Sequence, residues 1–133
     1  VGKPDCRVIN MAGDGSFKMN LTELSTIARY KLPIIQVLLN NSSLGMVRQW
    51  QKMFFHERYS HTSLGDEVNF LKLADAFGIQ SMRITRDEEV EKVFKKALSV
   101  NEPVVIECII HPDDLVLPMV PAGGPINECI DDI

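Results

Sequence analysis

Two short polar segments, each directly after an apolar run, contain the side chains best suited to bind a charged ligand. The segments are residues 12–16 (Ala-Gly-Asp-Gly-Ser) and 40–43 (Asn-Asn-Ser-Ser), and the apolar runs before them are 7–11 and 33–39. Nearly continuous apolar runs of this length are typical of strands in a parallel sheet. Because parallel strands end at one edge of a sheet, where such sheets bind ligands, Asp14 and Asn41 are predicted to lie close together.

The residue types in these segments favour a metal-bridged diphosphate. The glycines on each side of Asp14 allow backbone N–H groups to approach an anion, and a helix that follows directs its positive end to the same place. The carboxylate of Asp14 and the amide oxygen of Asn41 are hard donors, which Mg²⁺ prefers together with phosphate oxygens. Each segment taken alone is also a common turn, so the prediction depends on their combination.

Two other phosphate-binding motifs do not fit residues 13–18, Gly-Asp-Gly-Ser-Phe-Lys. The third glycine of a dinucleotide-binding fingerprint is missing, and so is the Gly-Lys-Ser/Thr of a P-loop. A nicotinamide dehydrogenase domain is therefore disfavoured, while a flavodoxin-like binding module without catalytic function remains an alternative.

Composition indicates one soluble domain, since the chain has 133 residues, 45% of them hydrophobic, and a net charge of −4. The absence of a basic stripe and of a long apolar run disfavours nucleic-acid and membrane partners. The first residues lack both an initiator Met and a signal peptide, so we expect a piece of a longer, cytoplasmic protein. Cys6, Cys108 and Cys129 match neither a zinc site nor a disulfide framework, and are predicted to be buried thiols.

Hydrophobic periodicity predicts the order β-α-β-α-β-α-β, and therefore a parallel sheet with right-handed crossovers. The predicted strands are 7–11, 34–39, 79–84 and 103–110, and helices are predicted over 21–32, 44–54, 68–77 and 90–98. The domain is predicted to span residues 1–110. A Pro- and Gly-rich arm follows over 111–133, which cannot form a helix or a central strand.

Local signals refine the helix ends. Asn20 with Glu23, and Thr85 with Glu88, are predicted to form capping boxes, and Gly78 is predicted to end a helix. One helix has an apolar stripe that is predicted to be buried, and it contains Val90, Val93, Phe94, Ala97 and Leu98. Another helix has one possible apolar face, which contains Leu44, Val47, Trp50 or Gln51, and Phe54.

Gly13-Asp14-Gly15 followed by Asn40-Asn41 resembles the signature of thiamine-diphosphate enzymes. Longer segments resemble the large, catalytic subunit of acetolactate synthase (acetohydroxyacid synthase) from about residue 5 to residue 130. These segments are 13–17 (Gly-Asp-Gly-Ser-Phe), 38–41 (Leu-Leu-Asn-Asn), 44–51 (Leu-Gly-Met-Val-Arg-Gln-Trp-Gln), 58–62 (Arg-Tyr-Ser-His-Thr) and 116–121 (Val-Leu-Pro-Met-Val-Pro). The resemblance implies a C-terminal thiamine-diphosphate-binding domain, a three-layer α/β/α fold with a parallel sheet, whose first βα unit is missing here.

The resemblance also implies residue roles. Asp14 and Asn41 would bind Mg²⁺ through side chains and Ser43 through its main-chain oxygen. The implied cofactor-binding residues are Gly13, Asp14, Gly15, Ser16, Met19, Asn41, Gly45 and Met46. Trp50 would shape the pocket for the second substrate, and the tail around residues 119–124 would form a lid. Two alternatives remain, that Met19 and Met46 fill the core and that Trp50 only packs.

The implied reaction condenses two pyruvates, or pyruvate and 2-oxobutyrate, to 2-acetolactate with loss of CO₂, in branched-chain amino acid synthesis. Another thiamine-diphosphate-dependent decarboxylase, oxidase or carboligase is the alternative within the superfamily. The family's activating glutamate belongs to a different domain, so no catalytic residue is expected in this chain, and the chain alone is expected to be inactive. The resemblance also allows FAD outside this chain, a homodimer or homotetramer, and a regulatory subunit.

Overall fold

A four-stranded parallel sheet forms the centre of the fold in the computed structural model, which describes residues 3, 5–65 and 67–132. The strands are β1 (Val8–Gly13), β2 (Ile34–Asn40), β3 (Gln80–Ile84) and β4 (Val104–Ile109), in the order β1-β2-β4-β3. The helices are α1 (Asp14–Asn20), α2 (Leu24–Arg29), α3 (Gly45–Phe54), α4 (Phe70–Ala76) and α5 (Val90–Ser99). Residues 1, 2, 4, 66 and 133, which fall in the predicted N-terminal, loop and tail segments, lie outside the described residues.

Helices cover both faces of the sheet, which confirms the predicted three-layer architecture. Side chains of β2 alternate between the faces, so Leu38 packs with Phe17 of α1 and Phe70 of α4, while Val37 packs with Ala97 of α5. The central strands β2 and β4 are therefore nearly continuous in apolar residues, as is typical of parallel strands buried on both sides. In the described part of the chain, no helix is long and apolar enough to cross a membrane.

The prediction that the first helix begins after Asn20 was wrong. Strand β1 continues to Gly13, and α1 begins directly at Asp14, with Gly13 in the extended conformation as its N-cap. The side chain of Asn20 makes no capping bond, and Glu23 accepts instead from the hydroxyl of Thr26 at 3.0 Å. Asp14 therefore lies in the first turn of a helix instead of in a loop.

The second predicted capping box was displaced by one residue. Glu89, and not Glu88, accepts from the backbone N–H groups of Thr85 and Arg86, at 2.9 and 3.2 Å. The N–H of Thr85 and the guanidinium of Arg86 lower the pKa of Glu89 to about 2. The helical segment begins with a 3-10 turn over Asp87–Glu89 whose N-cap residue is Arg86, so the glutamate three residues after the N-cap is Glu89.

Two burial predictions also need correction, and the possible apolar face of α3 is exposed. In α3, whose residues are all described, Gln49 is the buried residue. In α5, Ala97 is buried, Val93 and Phe94 are partly buried, and Val90 and Leu98 are exposed. Cys6 and Cys129 are exposed, and Cys108 is partly buried. The apolar stripe of α3 is open because this helix packs on the tail through its polar side.

The tail contacts α3 through one glutamine. Within the described residues 111–132 it contains neither a helix nor a strand of the sheet, as predicted. The amide of Gln49 accepts from the backbone N–H of Val116 at 2.8 Å and donates to its carbonyl at 3.1 Å. Met119 is buried beside the same amide, and its backbone pairs with that of Ile130. Gln49 thus attaches the tail to α3 by bonding both backbone polar groups of Val116.

The two asparagines near helix ends provide a test of the revised boundaries. Asn69 accepts from the backbone N–H of Lys72 at 3.0 Å and caps α4, whereas the side chain of Asn20 makes no capping bond. Both are exposed. We expect Asn69→Ala to lower the free energy of unfolding by about 1 kcal/mol, the usual value of an N-cap, and Asn20→Ala by less than about 0.5 kcal/mol. Urea denaturation of the two variants measures the difference, and an equal loss would contradict the assigned helix ends.

Candidate functional site

The carboxyl ends of β1 and β2 open onto a cleft of about 320 Å³. Most of the residues predicted to bind the cofactor or the metal line this cleft. They are Gly13, Asp14, Gly15, Ser16, Asn41, Ser43, Gly45 and Met46. Leu39, Leu44, Val47 and Ile110 complete the lining and were not predicted as site residues. The structure therefore brings the two polar segments together, and their binding roles stay predictions.

Asp14 is the charged group of the cleft. Only 1% of its surface is exposed, and burial raises the pKa of its carboxyl group. Hydrogen bonds from the backbone of Gly15 and of Asp14 itself act against this rise in pKa, as does the ammonium of Lys18, while Glu107 adds to it. A cation in the cleft would favour the ionised carboxylate and offset the cost of burying it.

Asn40, the last residue of β2, and Asn41, which follows it, both form side-chain turns. The Oδ1 atom of Asn40 accepts from the N–H of Ser42, and Oδ1 of Asn41 accepts from the N–H of Ser43, each at 3.0 Å. The turn role that these residues commonly have is therefore present here. It orients the amide of Asn41, because one lone pair is used within the turn and a second remains on the same oxygen.

Two glycines of the cleft make room for other groups. A Cβ atom at Gly45 would lie 2.8 Å from the amide nitrogen of Asn41. A Cβ atom at Gly15 would lie 3.0 Å from Leu44 and 3.1 Å from Leu64. Glycine is a poor helix residue, yet it stands at position 45 at the start of α3. The side chain of Asn41 explains this, because it leaves no room for a Cβ atom there, and a glycine also lets a ligand approach the backbone.

The loop between α3 and α4 is tied to the turn after β2, a contact that the sequence reasoning missed. The Ser43 hydroxyl and the Leu44 N–H both donate to the carbonyl of Thr62, at 3.0 and 2.8 Å. Leu64 N–H donates to Ser42 at 2.9 Å, and Lys18 Nζ donates to Leu64 at 3.3 Å. The signal that was available was the length of this loop, since long loops in compact domains are often functional.

The oxygen donors of the cleft fit a magnesium ion that is also bound by phosphate oxygens. Within the described residues, no group of three or more His, Cys, Asp or Glu side chains could hold a metal. The cleft instead offers one buried carboxylate, one amide and backbone groups around two glycines that a Cβ would crowd. Mg²⁺ is commonly bound by one or two protein carboxylates plus substrate phosphates, so the residues present fit such a group.

Met19, Trp50 and Met119 belong to the predicted site or lid but do not line the cleft. Met19 is 78% exposed. Met46 does line the cleft and is 49% exposed, so the alternative that these two methionines fill the core of this chain was wrong. Trp50 packs edge-to-face on Phe54 with ring centroids 5.8 Å apart and remains 36% exposed. In the described tail, Met119 contacts Gln49 and does not line the cleft.

The burial of Asp14 predicts a stability change of unusual sign. Because its pKa is raised in the folded state, the folded protein binds more protons than the unfolded chain, and stability falls as pH rises through that range. We expect Asp14→Asn to raise the thermal midpoint of the ligand-free, full-length protein by about 2–5 °C at pH 7. The gain should disappear below the pKa of an ordinary Asp.

Thermal melts at several pH values measure this effect, with the exposed Asp5→Asn as a control for the loss of one negative charge. A loss of stability in Asp14→Asn at pH 7 would contradict the proposed cost of burial.

Known proteins resemble the chain in sequence. The family described as "Thiamine pyrophosphate enzyme, C-terminal TPP binding domain" matches residues 1–108. The acetolactate synthase isozyme 2 large subunit of Escherichia coli is 45% identical over 131 residues, which are 98% of this chain and 24% of the relative. The probable acetolactate synthase large subunit of Methanocaldococcus jannaschii is 39% identical over 133 residues, 100% of this chain and 22% of the relative.

A solved structure resembles the chain in fold. It is the thiamine diphosphate-dependent 4-hydroxybenzoylformate decarboxylase of Rhodococcus jostii RHA1, with a TM-score of 0.74 and 30% identity over 81% of this chain and 20% of that one. The chain thus spans about a quarter of the length of the curated relatives it matches, or less. The match over residues 1–108 decides against the flavodoxin-like and nicotinamide alternatives. The chain belongs to the thiamine pyrophosphate enzymes, as their C-terminal TPP-binding domain.

Proposed function

We propose that the full-length protein is a thiamine-diphosphate-dependent acetolactate synthase, in which this chain holds the magnesium-bound diphosphate of the cofactor. The observation that carries the proposal is the cleft that Asp14 and Asn41 both line. Gly15 and Gly45 line it too, and a Cβ atom at either glycine would lie too close to a neighbouring side chain. Its support in sequence is the 39–45% identity to acetolactate synthase large subunits from a bacterium and an archaeon.

Each group of the cleft has a separate task in this proposal. Asp14 and the free lone pair of Asn41 bind Mg²⁺, and the main-chain oxygen of Ser43 is a third ligand. Backbone groups at Gly13, Gly15, Ser16 and Gly45 lie against the diphosphate, where the start of α3 adds a favourable partial positive charge. The cofactor supplies a nucleophilic carbon and an electron sink, while the protein supplies position and electrostatics.

The substrates, pyruvate and a second 2-oxo acid, are proposed to bind on the exposed side of the cleft. Trp50 lies on α3, which begins at the cleft, and its ring is held edge-on by Phe54 with part of its surface open. Met46 and Val47 are also exposed on this helix. Clustered apolar side chains of this kind mark binding surfaces, so we propose that Trp50 contacts the second substrate and that Met19 and Met46 contact the cofactor rings.

The same exposed residues support assembly with the rest of the enzyme. An apolar stripe along α3 is costly in water unless another surface covers it. We therefore propose that the full-length protein forms a homodimer or a homotetramer and that the 133-residue chain alone makes no acetolactate.

The metal role predicts a loss of binding without a loss of folding. Asp14→Asn and Asn41→Ala in the full-length protein should each weaken Mg²⁺-dependent binding of thiamine diphosphate by about 10- to 100-fold, because each removes a hard oxygen ligand or its charge. Isothermal titration calorimetry with and without Mg²⁺ measures the change. For Asp14→Asn the weaker binding should accompany a higher thermal midpoint of the ligand-free protein.

Ser99→Ala, far from the cleft at the end of α5, is the control variant and should leave the affinity unchanged. Unchanged affinity in both cleft variants would refute the metal role.

Product analysis separates acetolactate synthase from the second candidate. The structural relative is a decarboxylase, which favours a simple 2-oxo acid decarboxylase as the alternative. The full-length protein incubated with pyruvate, Mg²⁺ and thiamine diphosphate should release 2-acetolactate and CO₂. Acetaldehyde or acetate as the main product would support the alternative and reject the synthase.

A further inference from the structure

A buried carboxylate in the sheet has no role in the proposed binding of Mg²⁺ and diphosphate. Glu107 is 2% exposed in the central strand β4, where it lies between Leu38 of β2 and Arg83 of β3. Its Oε2 atom accepts from Nε of Arg83 at 2.8 Å, and its Oε1 atom accepts from Nδ2 of Asn40 at 2.7 Å. Charged groups are rarely buried at the centre of a sheet, and a pair of apolar residues is often more stable there.

The bond to Asn40 determines how that side chain is oriented. Strand residues two apart share a face, so Asn40 lies on the same side of the sheet as Leu38 and Glu107. An ionised carboxylate only accepts hydrogen bonds, which means that Asn40 must direct its NH₂ group at Glu107. Its carbonyl oxygen then points the other way, where it accepts from the N–H of Ser42 at 3.0 Å.

These two bonds connect the interior of the sheet to the turn at the cleft. The turn over residues 40–43 contains Asn41 and Ser43, and its first side-chain bond is the one from Ser42 to Asn40. Glu107 thus fixes the amide of Asn40, and the amide of Asn40 fixes the backbone that presents the next two polar residues. Glu107 also lies close enough to Asp14 to affect its pKa.

We propose that Glu107 is a positioning residue that acts through Asn40 to hold the turn bearing Asn41 and Ser43 in the geometry that binds the metal. The inference rests on the proposed function of that turn. Partners of metal ligands commonly change affinity by 10- to 100-fold when they are replaced, because they orient the ligand before the metal arrives.

Exchanging the hydrogen-bond donor and acceptor between Asn40 and Glu107 tests the proposal. Asn40→Asp keeps an oxygen for the N–H of Ser42 but places a second carboxylate against Glu107, so the pair repels. Adding Glu107→Gln restores the bond with reversed polarity, since the new amide at position 107 donates to the new carboxylate at position 40. The oxygen of that amide can still accept from Arg83.

The readout is Mg²⁺-dependent binding of thiamine diphosphate to the full-length protein by calorimetry, together with melting of the ligand-free protein. Asn40→Asp should weaken binding about tenfold or more, and the double variant should return to within about threefold of the wild type. Arg83→Gln removes the other contact of Glu107 and should stay within about threefold. If Asn40→Asp does not fold, Asn40→Ser serves instead, because its hydroxyl can accept from Ser42 but is too short to reach Glu107.

The outcomes separate this proposal from the function on which it rests. If the wild type binds thiamine diphosphate without any dependence on Mg²⁺, both are wrong. If the wild type requires Mg²⁺ while Asn40→Asp binds normally, only the positioning role is wrong. The same holds if the double variant is as weak as Asn40→Asp, or if Arg83→Gln weakens binding equally, because the effect would then not pass through Asn40.

Discussion

The register between β1 and β2 is the constraint on which the site depends. Gly13 pairs with Leu39, so the two strands end within one residue of each other, and the chain leaves them at Asp14 and Asn41. A slip of one residue would turn every side chain of β1 to the opposite face and separate the two polar segments. Packing supports this register through Ala12, because Ala12 pairs with Leu38 and packs against the core layer to which Leu38 belongs.

The buried charges of the site act against folding. Asp14 and Glu107 are both carboxylates with almost no exposure, and the negative charge of Glu107 adds to the rise in the pKa of Asp14. Glu107 is compensated by two donors, whereas Asp14 has backbone N–H groups and a more distant ammonium. This asymmetry supports the proposed metal-binding role of Asp14, since functional groups are often kept at the expense of stability.

Sequence reasoning predicted the sheet and the meeting of Asp14 with Asn41, because both follow from apolar runs and parallel topology. It misplaced the start of α1 because the N-cap there is Gly13, which has no side chain and therefore no capping signal. It placed Glu88 where Glu89 acts because Thr85 is a common N-cap residue type, whereas the N-cap is Arg86.

The long-range contacts of the site could not be predicted by these means. Glu107 and Asn40 are separated by 67 positions, as are Gln49 and Val116, and neither pair belongs to a local motif. The apolar stripe of α3 was read correctly as periodic, but periodicity shows only that a surface avoids water and does not show which surface covers it.

The polar and the apolar groups around the cleft lie on different sides of it. On the sheet side, every connection is polar and directional: Glu107 to Asn40, Asn40 to Ser42, and Ser43 to Thr62. On the open side, Met46, Val47 and Trp50 are exposed and largely apolar, so they can contact another group mainly by fitting its shape. A diphosphate and its metal need the first kind of surface, because charge must be matched at fixed distances. A cofactor ring or a second protein surface needs the second kind, which can adapt. This arrangement supports the proposal that the cleft anchors the charged end of a ligand, while Met46, Val47 and Trp50 stay exposed among the residues that the structure describes.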